Sequence, residues 1–182
     1  ATRRPTLGFV WVGMGLGLGL LTKGPIILLF VLPPALLAPL WHPYWPGWRV
    51  WGAGLGRALG VMALIALLWA LPAAILGGKG YAADLLWRQS AGRALESFAH
   101  RRPWWWYLPI LPLMLMPWSL VWANYRALGR AGRLVESDRG GRFCLAAFVP
   151  GLVLCSLVSG KQPHYLLPLL PALMLLVARG MV

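Results

Sequence analysis

The 182-residue chain is 59% hydrophobic and carries 17 Lys and Arg against 4 Asp and Glu, giving a formal net charge of +13. A soluble domain could not cover that much apolar surface with so few charged residues. The cations lie in short connectors between long apolar runs, as they do in membrane proteins. This distribution argues against a nucleic-acid partner, which the net charge alone would suggest.

About six apolar runs follow one another along the chain. They predict spans near residues 7–21, 25–40, 55–76, 104–123, 143–159 and 165–178. An apolar helix of roughly 20 residues crosses a bilayer core of about 30 Å, and shorter runs can span where the bilayer thins locally. The expected fold class is therefore all-α, a polytopic transmembrane helical bundle in which residues 1–182 form a single domain. The N-terminal residues carry no signal-peptide cleavage site, and we expect the chain to be a central portion of a longer membrane protein.

The first run carries a glycine at every second position. These residues are Gly13, Gly15, Gly17 and Gly19. They form G-x-x-x-G pairs, which suit close helix packing, and they do not match the G-x-x-x-x-G-K-[ST] pattern of a nucleotide-binding loop. Lys23 follows in the connector, and Pro25 begins the next run. A helix N-terminus beside a lysine can seat a phosphate, so Lys23 is a candidate ligand-binding residue.

The connector at 77–103 predicts an outer amphipathic helix. The segment YAADLLWRQSAGRALESFAHRR combines polar residues with apolar ones in the pattern of an amphipathic helix. The polar residues are Arg88, Arg93, Glu96 and His100, and the apolar residues are Leu85, Leu86, Leu95 and Phe98. The sequence PWWWYLP follows, and its three tryptophans with Tyr107 are typical of a membrane interface. We expect a surface-lying helix that leads into the next span.

The connector charges indicate an orientation in the membrane. If the N-terminus is cytoplasmic, the connectors at 41–54 and 124–142 are cytoplasmic as well, and every cation on that side is an arginine. The arginines of that side are Arg3, Arg4, Arg49, Arg57, Arg126, Arg130, Arg133, Arg139, Arg142 and Arg179. The outer side holds fewer cations, as the positive-inside rule requires, but it includes all three lysines of the chain. Its cations are Lys23, Lys79, Arg88, Arg93, Arg101, Arg102 and Lys161.

The outer side therefore keeps an excess of cations over its two acids, Asp84 and Glu96. Lys161, in the connector SGKQPHY at 159–165, lies between two apolar runs and has no acidic residue within twenty positions. Such a basic outer face suits an anionic ligand such as a lipid phosphate. The alternative is that these cations are solvated loop charges that snorkel at the interface.

Three motifs occur in order along nearly the whole chain. They are GLLTKGPI at 19–26, RALESFAHRRPWWWYLPILPLMLMPW at 93–118 and SLVSGKQPHYLLPLLPAL at 156–173. Together they resemble the middle of bacterial GT-C glycosyltransferases, in particular the aminoarabinose transferases that modify lipid A and the protein O-mannosyltransferase-like enzymes. The resemblance implies a multi-pass enzyme of the bacterial inner membrane. Such an enzyme transfers a sugar from a polyprenyl-phosphate donor to a lipid or protein acceptor on the periplasmic side.

The resemblance also implies roles for individual residues. Lys23, Arg93 and Lys161 are expected to bind the donor phosphate, and the ligand would then supply the anion that Lys161 lacks. Cations at this position stabilise the phosphate as it leaves the sugar. Secondary candidates for substrate contact are His100, Arg101, Arg102 and His164, although the two histidines could equally be hydrogen-bonding groups of the interface.

No catalytic residue is assigned within the chain. The acid that such enzymes use as a base or positioning group is expected upstream, and Asp84 and Glu96 do not match its motif. We therefore expect the chain to be inactive alone, and a divalent metal cofactor is left open. The alternative function is a non-enzymatic lipid-phosphate binding or transport protein with the same basic outer face. Membrane lipids are partners in either case.

Overall fold

The computed structural model describes residues 5–87, 102–134, 138–158 and 160–181. The regular elements assigned in these ranges are α-helices and short 3₁₀ helices, which confirms the all-α class. The α-helices are α1 (Pro5–Lys23), α2 (Ile27–Leu36), α3 (Ala38–Trp41), α4 (Trp48–Trp87), α5 (Tyr107–Met114), α6 (Trp122–Leu134), α7 (Arg139–Leu157) and α8 (Leu170–Met181). The 3₁₀ helices are Gly24–Ile26, Trp104–Trp106, Trp118–Leu120 and Pro163–Leu169.

The chain folds as two compact units. Unit 1 comprises residues 1–28 and 46–95, and unit 2 comprises residues 29–45 and 96–182. Unit 1 contains α1 and α4, whereas unit 2 contains α3 and α5 to α8.

In unit 1, α1 packs against α4 through two of its glycines. A Cβ on Gly13 would lie 2.6 Å from the carbonyl oxygen of Ala58, and a Cβ on Gly17 would lie 2.8 Å from Ile65. The predicted close packing of this G-x-x-x-G pair is therefore confirmed. A Cβ on Gly15, in contrast, would meet nothing within 4 Å, so this glycine does not contribute to the helix contact.

The chain turns sharply after α1. Gly24 takes a φ of 71°, a left-handed conformation that glycine adopts without steric cost at a helix C-terminus. A Cβ on Gly19 would lie 2.8 Å from Cγ1 of Ile27, whereas eight residues of continuous helix would separate these positions by about 12 Å. The runs predicted at 7–21 and 25–40 are thus separate helices, joined by the turn that carries Lys23.

Unit 2 is built on a C-terminal hairpin, which we define as α7, the turn that includes residues 158 and 160–162, the 3₁₀ helix Pro163–Leu169 and α8. The two arms run antiparallel, because Gly151 in the middle of α7 contacts Leu169, and Arg179 near the end of α8 pairs with Asp138 at the start of α7. Each arm has 19 residues and is apolar enough to cross a membrane.

The core of unit 2 lies between this hairpin and α5. Its buried residues are Tyr107, Phe148, Cys155, Leu166, Leu169 and Leu173. The α5 helix contributes Tyr107, which is only 1% exposed. On the other side, α6 packs against α8, where the Ala127 backbone leaves no room for a side chain at Gly180.

The structure differs from the predicted number of spans. Four described helical stretches are long and apolar enough to cross a membrane, namely Thr6–Leu36, Trp48–Gly77, Arg139–Leu157 and Pro163–Met181. The first of these contains the turn at Lys23–Ile26 and so covers two of the predicted runs. The predicted span at 104–123 is not a continuous helix, since α5 ends at Met114 and a 3₁₀ helix follows Pro117. Prolines in this segment remove the backbone donors that a longer helix would need.

The α4 helix also departs from its predicted bounds. It has 40 residues and continues past the predicted end at residue 76 to Trp87, into the segment expected to form an outer connector. The rest of the predicted amphipathic connector helix, at residues 88–101, lies outside the described residues.

Candidate functional site

Lys161 lies in the turn of the C-terminal hairpin and is only 5% exposed. Its Nζ donates hydrogen bonds to the carbonyl oxygens of Val158, at 2.7 Å, and of Arg102, at 3.1 Å. Val158 caps the C-terminus of α7, where the final carbonyls have no partner within the helix. A cation at this end of a helix is also favoured by the helix dipole.

The charge of this ammonium group is only partly compensated. Burying a cation is costly unless it is paired or fully hydrogen-bonded. In the described ranges the one ion pair joins Arg179 and Asp138, and no carboxylate contacts Lys161. The two carbonyls use two of the three N–H donors of a lysine ammonium. The group therefore keeps capacity for one further acceptor, and a negatively charged acceptor would add the missing charge compensation.

The turn that carries Lys161 is supported by the aromatic motif that precedes α5. The hydroxyl of Tyr107 donates to the carbonyl oxygen of Gln162 at 3.2 Å. The Trp106 ring packs edge-on against Tyr107, with ring centroids 5.2 Å apart. The motifs at 93–118 and 156–173 thus meet in the structure. Sequence reasoning placed Tyr107 at an interface but missed this bond, because nothing in the sequence pairs it with a carbonyl 55 positions away.

Two secondary candidates lie close to Lys161, Arg102 through a hydrogen bond and His164 through its position three residues later in the chain. Arg102 is exposed, its carbonyl binds Lys161, and its guanidinium carbon lies 5.9 Å from the centroid of the Trp106 ring. His164 packs edge-on against Tyr165, with ring centroids 4.7 Å apart. Arg102 and His164 therefore occur with Lys161 at one end of unit 2.

The remaining candidates lie in unit 1 or outside the described residues. Lys23 is exposed at the last residue of α1, in unit 1, and it is followed by a 3₁₀ helix of three residues rather than by a long helix N-terminus. Arg93, His100 and Arg101 lie outside the described residues. The shared phosphate site of Lys23, Arg93 and Lys161 thus stays a prediction. Within the described ranges, no three His, Cys, Asp or Glu side chains group as metal ligands.

The opposite end of the hairpin holds a second polar cluster, which the sequence reasoning did not single out. Asp138 caps α7 by accepting from the amides of Gly141, at 2.8 Å, and Gly140, at 3.1 Å, and it forms an ion pair with Arg179. Partial burial alone would raise the pKa of Asp138, but these amides and the Arg179 guanidinium hold it below its ordinary value. An aspartate directly before an apolar run was the available signal, since Asp is a preferred N-cap residue.

Comparison with known proteins identifies similar membrane enzymes. Over 99% of its length the chain is 34% identical to an undecaprenyl phosphate-alpha-4-amino-4-deoxy-L-arabinose arabinosyl transferase of Pseudomonas paraeruginosa, and it covers 32% of that protein. The corresponding transferase 1 of Sodalis glossinidius is 34% identical over 98% of the chain, which covers 31% of it. Transferase 1 of Pseudomonas fluorescens is 32% identical over 100% of the chain, which covers 32% of it.

The chain thus spans about a third of the length of these relatives. No family model matches the chain, and no solved structure matches it significantly. The curated relatives confirm the resemblance that the three motifs indicated.

Proposed function

We propose that the chain is the donor-binding part of an integral-membrane glycosyltransferase, because it is homologous to about a third of the length of the aminoarabinose transferases, which are GT-C glycosyltransferases. The complete enzyme transfers a sugar from a polyprenyl-phosphate donor to an acceptor, either lipid A or a protein. It acts on the periplasmic side of the bacterial inner membrane. The relatives' names specify an undecaprenyl phosphate-linked aminoarabinose, and we carry over only the class of donor.

The observation that carries this proposal is the environment of Lys161. Its ammonium is buried, fixed by two backbone carbonyls and without a carboxylate among the described residues. When the glycosidic bond of a polyprenyl-phosphate sugar breaks, negative charge develops on the phosphate. A cation that is already held in place stabilises that charge without reorganising, and the effect is larger where water is excluded.

The other proposed phosphate ligands divide the work by chemistry. An arginine makes oriented contacts with two phosphate oxygens, whereas a lysine acts as a point charge. Arg93 would therefore orient the phosphate, and Lys23 and Lys161 would supply charge. Arg102 and His164, with His100 and Arg101, are proposed for contacts at the edge of the same site.

The length of the hairpin arms and the distribution of arginines together support a periplasmic position for Lys161. The stretch Pro163–Met181 begins with a seven-residue 3₁₀ helix and continues with the 12 residues of α8. At about 2.0 Å and 1.5 Å per residue these elements extend roughly 32 Å, close to the thickness of a bilayer core. Lys161 and Arg179 are then on opposite faces, and the arginine-rich face is the cytoplasmic one by the positive-inside rule.

Single cysteines in the full-length protein test this orientation. Pro163 and Gly132 are both exposed, and a Cβ at Gly132 would meet nothing within 4 Å. In intact cells, a membrane-impermeant thiol reagent should label Pro163→Cys and leave Gly132→Cys unlabelled until the membrane is opened. The opposite pattern would place Lys161 in the cytoplasm and remove the periplasmic site.

Activity is tested on the full-length protein by following two quantities, binding of polyprenyl phosphate and release of the sugar from the polyprenyl-phosphate donor. We expect the full-length protein both to bind polyprenyl phosphate and to release the sugar. Lys161→Ala should weaken donor binding by roughly 10- to 100-fold, because a charged hydrogen bond contributes about 1.5–3 kcal/mol. Arg49→Ala, which removes an exposed cation of α4, is the matched control and should bind as the wild type does.

The same measurements separate the proposal from its alternative. Tight binding of polyprenyl phosphate without sugar transfer by the full-length protein would favour a non-enzymatic lipid-phosphate binding or transport protein. Unchanged donor binding by Lys161→Ala would remove Lys161 from the site.

A further inference from the structure

The surface of α6 is divided into three sectors. Ala127 and Ala131 are 2% and 3% exposed and form the sector that packs into unit 2. At 100° per residue, Arg126 and Arg130 share a second sector, and both are exposed. The third sector is apolar and exposed, and it contains Trp122, Tyr125 and Leu128. A helix with cations on one side, large apolar residues on the next and a packed third side is typical of a membrane surface.

The position of α6 agrees with this pattern. It ends at Leu134, and the spanning helix α7 begins at Arg139, so the linker between them can cover at most roughly 18 Å. Its packing partner α8 also belongs to a spanning stretch and ends close to Arg179. Exposed arginines are costly in the hydrocarbon core. The helix therefore lies where the hairpin leaves the hydrocarbon core and enters the headgroup layer.

The charge at this end favours an anionic partner. Arg126, Arg130 and Arg139 are exposed, and the one carboxylate that the structure describes here, Asp138, is already paired with Arg179. Leu128, on the apolar sector, also borders an apolar cavity of about 270 Å³ between α5, α6, α7 and α8. A partner that offers both phosphates and acyl chains matches these two features together.

We propose that α6 recognises the anionic phospholipids of the leaflet in which it lies. Arg126 and Arg130 bind the phosphate groups, and Trp122, one turn before Arg126 at the adjoining edge of the apolar sector, inserts beside them at the level of the upper acyl chains. This interaction surface is on the other end of the hairpin from Lys161, and it does not depend on the sugar-transfer reaction.

The first test measures the lipid preference of the full-length protein in zwitterionic detergent micelles titrated with phosphatidylglycerol. The thermal unfolding midpoint should rise with phosphatidylglycerol at low salt and rise much less at high salt. In Arg126→Gln/Arg130→Gln the apparent affinity for phosphatidylglycerol should fall about fivefold for each arginine, since each contributes about 1 kcal/mol at an anionic surface. Arg49→Gln/Arg57→Gln removes two exposed arginines of α4 and is the matched control. Equal losses in both pairs, or no loss in the α6 pair, would overturn the proposal.

The second test reports the depth of α6 and stays informative if the arginine variants are unstable. A Cβ at Gly129 on α6, or at Gly60 within α4, would meet nothing within 4 Å, so both positions accept a spin-labelled cysteine. In nanodiscs, the label at 129 should relax strongly with a nickel chelate carried on lipid headgroups and weakly with dissolved oxygen. The label at 60 should show the opposite preference. A label at 129 that responds to water-soluble chelate alone would place α6 away from the membrane and contradict the proposal.

Discussion

The two ends of the C-terminal hairpin each hold a cation, and they compensate its charge in different ways. Arg179 is paired with the Asp138 carboxylate, which also caps α7. Lys161 is more deeply buried, yet its described partners are two backbone carbonyls. One end is neutralised within the protein, whereas the other keeps its positive charge in a site built by two separate motifs.

This difference separates stability from ligand binding. A carboxylate partner contributes to folding whether or not a ligand is present. A buried ammonium held by dipoles contributes little to folding or costs free energy, because desolvation exceeds what the carbonyls return. Such an arrangement becomes favourable when a phosphate binds. The two ends should therefore respond to mutation in opposite ways.

The largest expected effect comes from a crossed pair of substitutions. Lys161→Met keeps the approximate volume of the side chain and should weaken binding of polyprenyl phosphate by the full-length protein roughly 10- to 100-fold. Its thermal midpoint should be unchanged or higher, because a buried charge is removed. Arg179→Met should show the reverse, with donor binding retained and a lower midpoint. Loss of both properties in both variants would mean that the two ends do not differ as proposed.

A smaller effect is expected from the hydrogen bond that supports the Lys161 turn. Tyr107→Phe removes only the hydroxyl that donates to Gln162, and a net loss of about 1 kcal/mol corresponds to roughly fivefold weaker donor binding. Tyr125→Phe on α6 is a matched control, since the Tyr125 hydroxyl also donates to a backbone carbonyl, that of Ser119 in the 3₁₀ helix before α6. Donor titrations of the two variants should differ, and equal affinities would show that the Tyr107 bond does not position the turn.

The stability of the protein should depend on pH through the Asp138–Arg179 end of the hairpin. The pKa of Asp138 lies below its ordinary value of 3.8 in the folded protein, so the carboxylate stabilises the fold above pH 4 and loses this contribution as the pH falls through the folded pKa. Asp138→Ala should lower stability at neutral pH by about 1 kcal/mol, the usual cost of losing an N-cap.

Asp138→Asn is the control for that experiment, because it retains a capping side chain and removes the titrating charge. Thermal midpoints of the wild type, Asp138→Ala and Asp138→Asn should be measured from neutral pH downwards. The acid-induced decrease in midpoint should be smaller for Asp138→Asn than for the wild type. A wild-type decrease that Asn reproduces in full would assign the pH dependence to other groups.

Some features of the fold and of the candidate site could be predicted from the sequence and others could not, for physical reasons. Apolar runs and G-x-x-x-G spacing are local, so the helices and the Gly13/Gly17 contact could be predicted. The interruption after Met114 depends on how three closely spaced prolines end a helix, and hydropathy alone does not register it. Lys161 was found because an unpaired cation between apolar runs is unusual. Arg102 was named only as a secondary candidate, and its carbonyl contact with Lys161 was missed, since a contact 59 positions away has no signal in composition or period.

The smallest expected effect is also the sharpest test of the shared phosphate site. Lys23 is exposed in unit 1 and Lys161 is buried in unit 2, so their environments give no reason for their effects to be linked. If both contact one phosphate, removing one cation changes how strongly the other binds it. Residues that share a ligand should then show a coupling of at least about 0.5 kcal/mol in a double-mutant cycle. The measurement is donor binding by Lys23→Ala, Lys161→Ala and the double variant of the full-length protein at fixed ionic strength. Strictly additive losses would mean that the two lysines contact different groups, and Lys161 would remain a phosphate ligand without Lys23.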